Sequence, residues 1–94
     1  MKVNFNVPLK KFNGENAQND GKDLIIKDSL CNVLLNAEGK DGVRKYKLFK
    51  LADKIFSSEA EVDLSLEEAA IIKEEVGKLG LPLFVGRVFD LLGE

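Results

Sequence analysis

Histidine and tryptophan are absent from the chain, and cysteine and tyrosine occur once each. Without histidine the protein lacks the only side chain whose unperturbed pKa lies near neutrality, and the commonest ligand of transition metals. Hydrolases that activate a serine or cysteine through an imidazole are therefore excluded. The single thiol, Cys31, has no partner for an intramolecular disulfide and cannot by itself build structural zinc or iron–sulfur chemistry. No cofactor is expected, and the thiol count fits a reducing compartment. An excess of one charge is lacking too. Fourteen Lys and Arg face sixteen Asp and Glu, a net charge of −2, so no global field draws the chain to nucleic acid or to an anionic membrane. No apolar run approaches the roughly 20 residues of a membrane span. The opening Met1 to Asn6 has no apolar core of the secretory type. The expectation is a soluble, intracellular protein with no membrane partner.

What is present is a balance of 45% hydrophobic and 32% charged residues over 94 positions, the profile of one small domain spanning residues 1–94. A chain of this length buries about 60 to 70% of its unfolded surface, which allows one core and excludes a second. Val3, Phe5 and Val7 alternate with Asn4 and Asn6, a period-2 pattern that predicts a strand from Lys2 to Val7, ended by Pro8. From Leu9 to Asp23 the composition turns polar, with turn signals at Asn13-Gly14 and Asp20-Gly21, the mark of a loop or a long hairpin tip. Leu24-Ile25-Ile26 is short and rich in β-branched residues, and its simplest partner is the first strand, antiparallel. Residues 1–26 are thus expected to be a β-hairpin region and 27–94 a helical region.

Ile26, Leu30, Val33, Leu34 and Ala37 recur at helical spacing and predict a helix from near Lys27 to Ala37. Gly39 and Asp41-Gly42 break the pattern, and a second helix is expected from Val43 to Phe56. On its wheel Leu48, Phe49, Ala52, Ile55 and Phe56 share one arc of about 120°, with Lys47, Lys50 and Lys54 opposite. Glu61 to Leu64 is either a third short strand or an extended link. Ser65-Leu66-Glu67-Glu68 has the S-x-x-E form of a capping box and opens a third helix from Leu66 to about Leu79. Gly80 stops it, and Pro82 suits the first turn of a fourth helix reaching about Leu92. The fold class is therefore α+β: an N-terminal hairpin, with or without a third strand, packed on about four helices, the last of them central.

The fourth helix carries more apolar residues than a half-exposed helix needs. Phe84, Val88, Phe89 and Leu92 either close the core or form a surface for a protein partner or a second copy. Lys40, Arg44, Lys45, Lys47, Lys50 and Lys54 form the most basic stretch, and the helix–turn–helix outline before them makes Lys40, Arg44, Lys47, Lys50 and Lys54 candidate nucleic-acid contacts. The second helix lacks the Arg, Asn and Gln density that reads base edges, and lysines on a solvated helix back explain the same pattern. Gly39-Lys40-Asp41-Gly42 does not have P-loop spacing and reads as an interhelix turn. Glu67-Glu68 and Glu74-Glu75 are adjacent pairs whose side chains diverge by about 100° on a helix, so neither pair is a chelate alone. Cys31 reads as a buried thiol with nothing to activate it.

Taken together, Phe5, Pro8-Leu9, Gly14 and Lys27-Asp28, then Leu51-Ala52 with Lys54-Ile55, are one half of a pattern spread along the chain. Val62-Asp63-Leu64-Ser65, Glu67-Glu68, Ile72-Lys73, Val85-Gly86-Arg87 and Leu91-Leu92 complete it. In these positions the sequence resembles a group of small proteins of tailed bacteriophages and prophages. The resemblance implies a phage or prophage origin, a bacterial cytoplasm as the site of action, and no assigned functional residue. The functional expectation is a non-enzymatic accessory protein that docks on itself, on a host protein or on a phage protein, with a small nucleic-acid-binding regulator as the alternative.

Overall fold

The computed structural model describes residues 1–93. In chain order these form β1 (Lys2–Asn4), β2 (Gln18–Asn19), β3 (Lys22–Asp23), α1 (Ile26–Leu35), α2 (Gly42–Phe56), β4 (Glu61–Asp63), α3 (Leu66–Gly77) and α4 (Pro82–Leu91). The α+β class and the four helices agree with the sequence pattern.

The first strand divides its pairing between two partners. Lys2, Val3 and Asn4 pair antiparallel with Asp63, Val62 and Glu61, so the Glu61 segment is a strand and the direct neighbour of β1. Beyond Asn4 the chain continues beside the segment expected to complete the hairpin. Lys27 N donates to Phe5 O at 2.8 Å, Ile26 N to Val7 O at 2.9 Å and Leu9 N to Leu24 O at 2.8 Å. Pro8 does not end this pairing, since it sits opposite Ile25 and the next amide, that of Leu9, carries the bond. The polar stretch between is ordered as two tight turns. In one, Lys10 bridges Asn16 around Gly14. In the other, β2 and β3 are joined by Asp20-Gly21, both at positive φ (53° and 78°), the pattern of a two-residue hairpin whose twist matches its strands.

Three of the four helix starts have a source of acceptors for their free amides. For α1 these are the strand carbonyls of Val7 and Phe5, which replace a side-chain cap. For α2 the Asp41 carboxylate accepts from Arg44 N at 2.8 Å. The capping box of α3 forms as the sequence predicts: Glu68 N donates to Ser65 Oγ at 3.1 Å, and Ser65 N donates to Glu68 Oε1 at 2.8 Å. Pro82 occupies the first turn of α4.

One core joins these elements. Leu30 of α1, Ile72 and Val76 of α3 and Val88 of α4 are fully buried, with Val3, Phe5, Val62 and Leu64 closing it from the strands. Helix α1 packs on α2 and on α3, and α4 packs on α3. The central helices are thus α1 and α3, each with two helix neighbours, not the last one as the apolar content of α4 suggests. Phe84, Val88 and Leu92 point into this core, so of the two roles the sequence leaves open for them they take the core and not the docking face. Burying them removes roughly 2 kcal/mol each of unfavourable hydration, so turning them outward for a partner would open the domain itself. Phe89 is half-buried and its ring tip lies beside Gly77 of α3. Arg87 faces the other way and holds the first turn onto α4, with Nε donating to Lys10 O at 2.9 Å and the guanidinium 5.6 Å from the Phe12 ring.

Candidate interaction surface

Helix α2 has a second, outward stripe that the core does not use. Leu48, Leu51, Ala52 and Ile55 face inward. Tyr46, Phe49 and Phe56 stand outside, at 62, 54 and 62% exposure. With Lys50 and Asp53 they share an arc of about 120° at roughly 100° per residue. Phe49 and Phe56, expected inside, lie at the edge of the buried arc because Leu51 is buried on its far side and shifts its centre away from them. The rings of Tyr46 and Phe49 stack with centroids 6.3 Å apart.

The antiparallel packing of α1 on α2 borders this stripe. Lys27 Nζ donates to Phe56 O at 3.3 Å and to Ser58 O at 3.2 Å, and it lies 5.5 Å from the centre of the Phe56 ring. One turn along, Cys31 Sγ donates to Ala52 O at 3.6 Å. Burial, aided by the nearby Asp28 charge, pushes the thiol pKa up, so Cys31 is a structural thiol between the two helices. One further turn along α1, Leu35 is exposed.

The basic residues of α2 meet a row of carboxylates on α3. Lys40 Nζ is 3.1 Å from Glu75 Oε2, and the Arg44 guanidinium is 3.0 Å from Glu74 and 3.2 Å from Glu75. Lys47 pairs with Glu67 at 3.3 Å and Lys54 with Glu68 at 2.9 Å. Of the five candidate nucleic-acid contacts, only Lys50 has no carboxylate partner among the described residues. The acidic pairs are likewise engaged by cations, and no group of three or more metal-binding side chains converges among the described residues. The Gly39–Gly42 turn offers little to an anion, because Asp41 caps α2 and Lys40 is held by Glu75.

Glu75 is the one buried charged residue among those described, at 5% exposure. Burial pulls its carboxyl toward a higher pKa, but hydrogen bonds from Lys40 and Arg44 and the charges of Lys40 and Lys78 outweigh that and hold it below the ordinary carboxylate value. It therefore ties the N-terminal half of α2 to α3 and leaves the aromatic stripe facing outward on a fixed helix.

No helix among the described residues is long and apolar enough to cross a membrane. The outward stripe has one signal in the sequence. Tyr46, Phe49, Asp53 and Phe56 follow the 3-4-3 spacing of a heptad seam, hidden by counting Phe49 and Phe56 with the core. Comparison of the chain with protein-family models, with curated proteins and with solved structures gives no match.

Proposed function

We propose that the protein is a non-enzymatic accessory protein acting through protein–protein contact, and that the contact surface is the aromatic stripe of α2. The carrying observation is the exposure of Tyr46, Phe49 and Phe56 on one face of a helix whose opposite face is fully packed. At about 200 Å² per aromatic side chain, roughly six-tenths exposed, the three rings leave about 350 Å² of aromatic surface in water along one stripe. That is the size of the largest apolar patch on a typical monomer, which is often a functional one. A phage or prophage origin, and action in a bacterial cytoplasm, are part of the proposal and rest on the residue resemblance. The nucleic-acid alternative loses support from the pairing of Lys40, Arg44, Lys47 and Lys54 with α3 carboxylates, which cancels most of the field a phosphate backbone needs.

A photoreactive phenylalanine analogue at position 49, irradiated in the cells from which the chain comes, tests the reading. A covalent protein adduct is expected at position 49 and not from the same analogue at exposed Lys22 on the β2–β3 hairpin. Equal, background-level labelling at both positions would overturn the surface assignment.

A further inference from the structure

The stripe on α2 is complementary to itself when reversed. Read forward, it runs aromatic (Tyr46), cation (Lys50), anion (Asp53), aromatic (Phe56); read backward, it runs aromatic, anion, cation, aromatic. The midpoint of Tyr46 and Phe56 falls at residue 51, and that of Lys50 and Asp53 half a residue further, an offset of about 0.75 Å on a helix rising about 1.5 Å per residue. Lys50 and Asp53 are also the charges on this face left over from intramolecular pairing. Neither joins an ion pair among the described residues, and the Asp53 carboxylate accepts from Ser57 Oγ at 3.4 Å. By contrast, Lys47 and Lys54 on the adjoining flank are already held by Glu67 and Glu68.

Resting on the reading of this face as an interaction surface, we propose that its occupant is a second copy of the chain. The two α2 helices pack antiparallel about a twofold axis level with Leu51. In that arrangement Tyr46 lies against Phe56 of the second copy, and Lys50 reaches Asp53 of the second copy, each contact occurring twice. Antiparallel pairing sets the a positions of the heptad seam, Tyr46 and Asp53, beside the d positions, Phe56 and Phe49, of the other helix. An aspartate in such a seam is tolerated only with a counter-charge in reach, which Lys50 supplies. A partner of different sequence would need the same charges in the opposite order, whereas the twofold provides them without further specification. The rings contribute about 700 Å² across two copies, and with the polar flanks the interface reaches about 1,200 Å², the lower edge of the stable class. The dimer is accordingly a weak one, with a dissociation constant on the order of micromolar.

Sedimentation velocity of the full chain from about 5 to about 500 µM tests this, and the expected result is a shift from monomer to dimer with concentration. Lys50→Asp and Asp53→Lys, made separately, each place like charges across the axis twice and should weaken self-association at least about tenfold. Mixed one to one, the two variants restore a heterodimer, because one copy then carries two aspartates where the other carries two lysines. Both positions are exposed, and circular dichroism of each variant checks that the fold is kept. A monomer at the highest concentration, or a dimer indifferent to both substitutions, would overturn the proposal. A strict monomer whose position-49 adduct contains a different protein would refute the second copy and leave the interaction surface standing. A monomer without any adduct would remove both.

Discussion

Replacing Glu75 by Gln removes one charge from the center of the α2–α3 contact and leaves nearly the same volume. Lys40, with 15% of its side chain exposed, and Arg44, with 24%, then lose their buried counter-ion at 3.1 and 3.2 Å. Breaking a buried pair by removing one partner costs about 3 to 5 kcal/mol when the remaining charge is trapped. Here both cations lie at the rim and Arg44 retains Glu74 at 3.0 Å, so the expected loss is smaller, about 2 kcal/mol. With an unfolding entropy of about 2.1 cal/mol/K per residue, that is a fall in melting temperature of about 10 °C. Thermal and urea unfolding at neutral pH measure it. The pH dependence gives a second check. The folded carboxyl lies below its ordinary value of 4.5, so the folded state binds fewer protons there than the unfolded chain. Its stabilisation is full above that value and disappears as pH falls through the lowered folded pKa. The gap between the parent protein and Glu75→Gln should therefore close as the pH drops below about 4.5, with contributions common to both, such as that of Glu68, cancelling. A variant within about 0.5 kcal/mol of the parent at neutral pH, or a gap that persists undiminished in acid, would refute the reasoning.

Gly86 lies in the middle of α4 with open space where a Cβ would stand and no positive φ, so Gly86→Ala should stabilise the protein by about 0.5 to 1 kcal/mol in the same assay. A loss of stability would mean that the backbone there is approached by something other than solvent. Lys47, Lys50 and Lys54 changed together to Glu test the nucleic-acid alternative by titration with duplex DNA at low salt. The parent protein is expected not to bind, and salt-sensitive binding that the triple change abolishes would restore that alternative.

The sequence made the helices legible because their signals are local. The capping box at Ser65, Pro82 in the first turn of α4 and the Asp41-Gly42 break before α2 each act within a few residues of the boundary they set. The hairpin between Phe5 and Lys27 was legible for the same reason, through alternation and turn residues. The pairing of β1 with β4 was not, since three-residue strands carry too little pattern to specify a distant partner. The candidate surface was misplaced for a related reason. Apolar content marks burial but not direction, so for α4, crowded with Phe and Val, it left a core role and a docking face both open. Its residues are consumed by a small core that α3 and the strands leave open on one side. On α2 the two phenylalanines fell within a permissible core arc, and only the burial of Leu51 on the other side of that arc turned them out.

The β1–β4 ribbon also orders events in time. Val3 is made well before its partner Val62, which lies about 60 residues further along the chain. The contacts of residues 5–9 with 24–27, and of α1 with α2, close much shorter loops and demand less entropy. During synthesis the first strand is therefore held by the Phe5–Lys27 contacts with its outer end unpaired. The edge is sealed only when β4 leaves the ribosome, just before α3 arrives to cover the core.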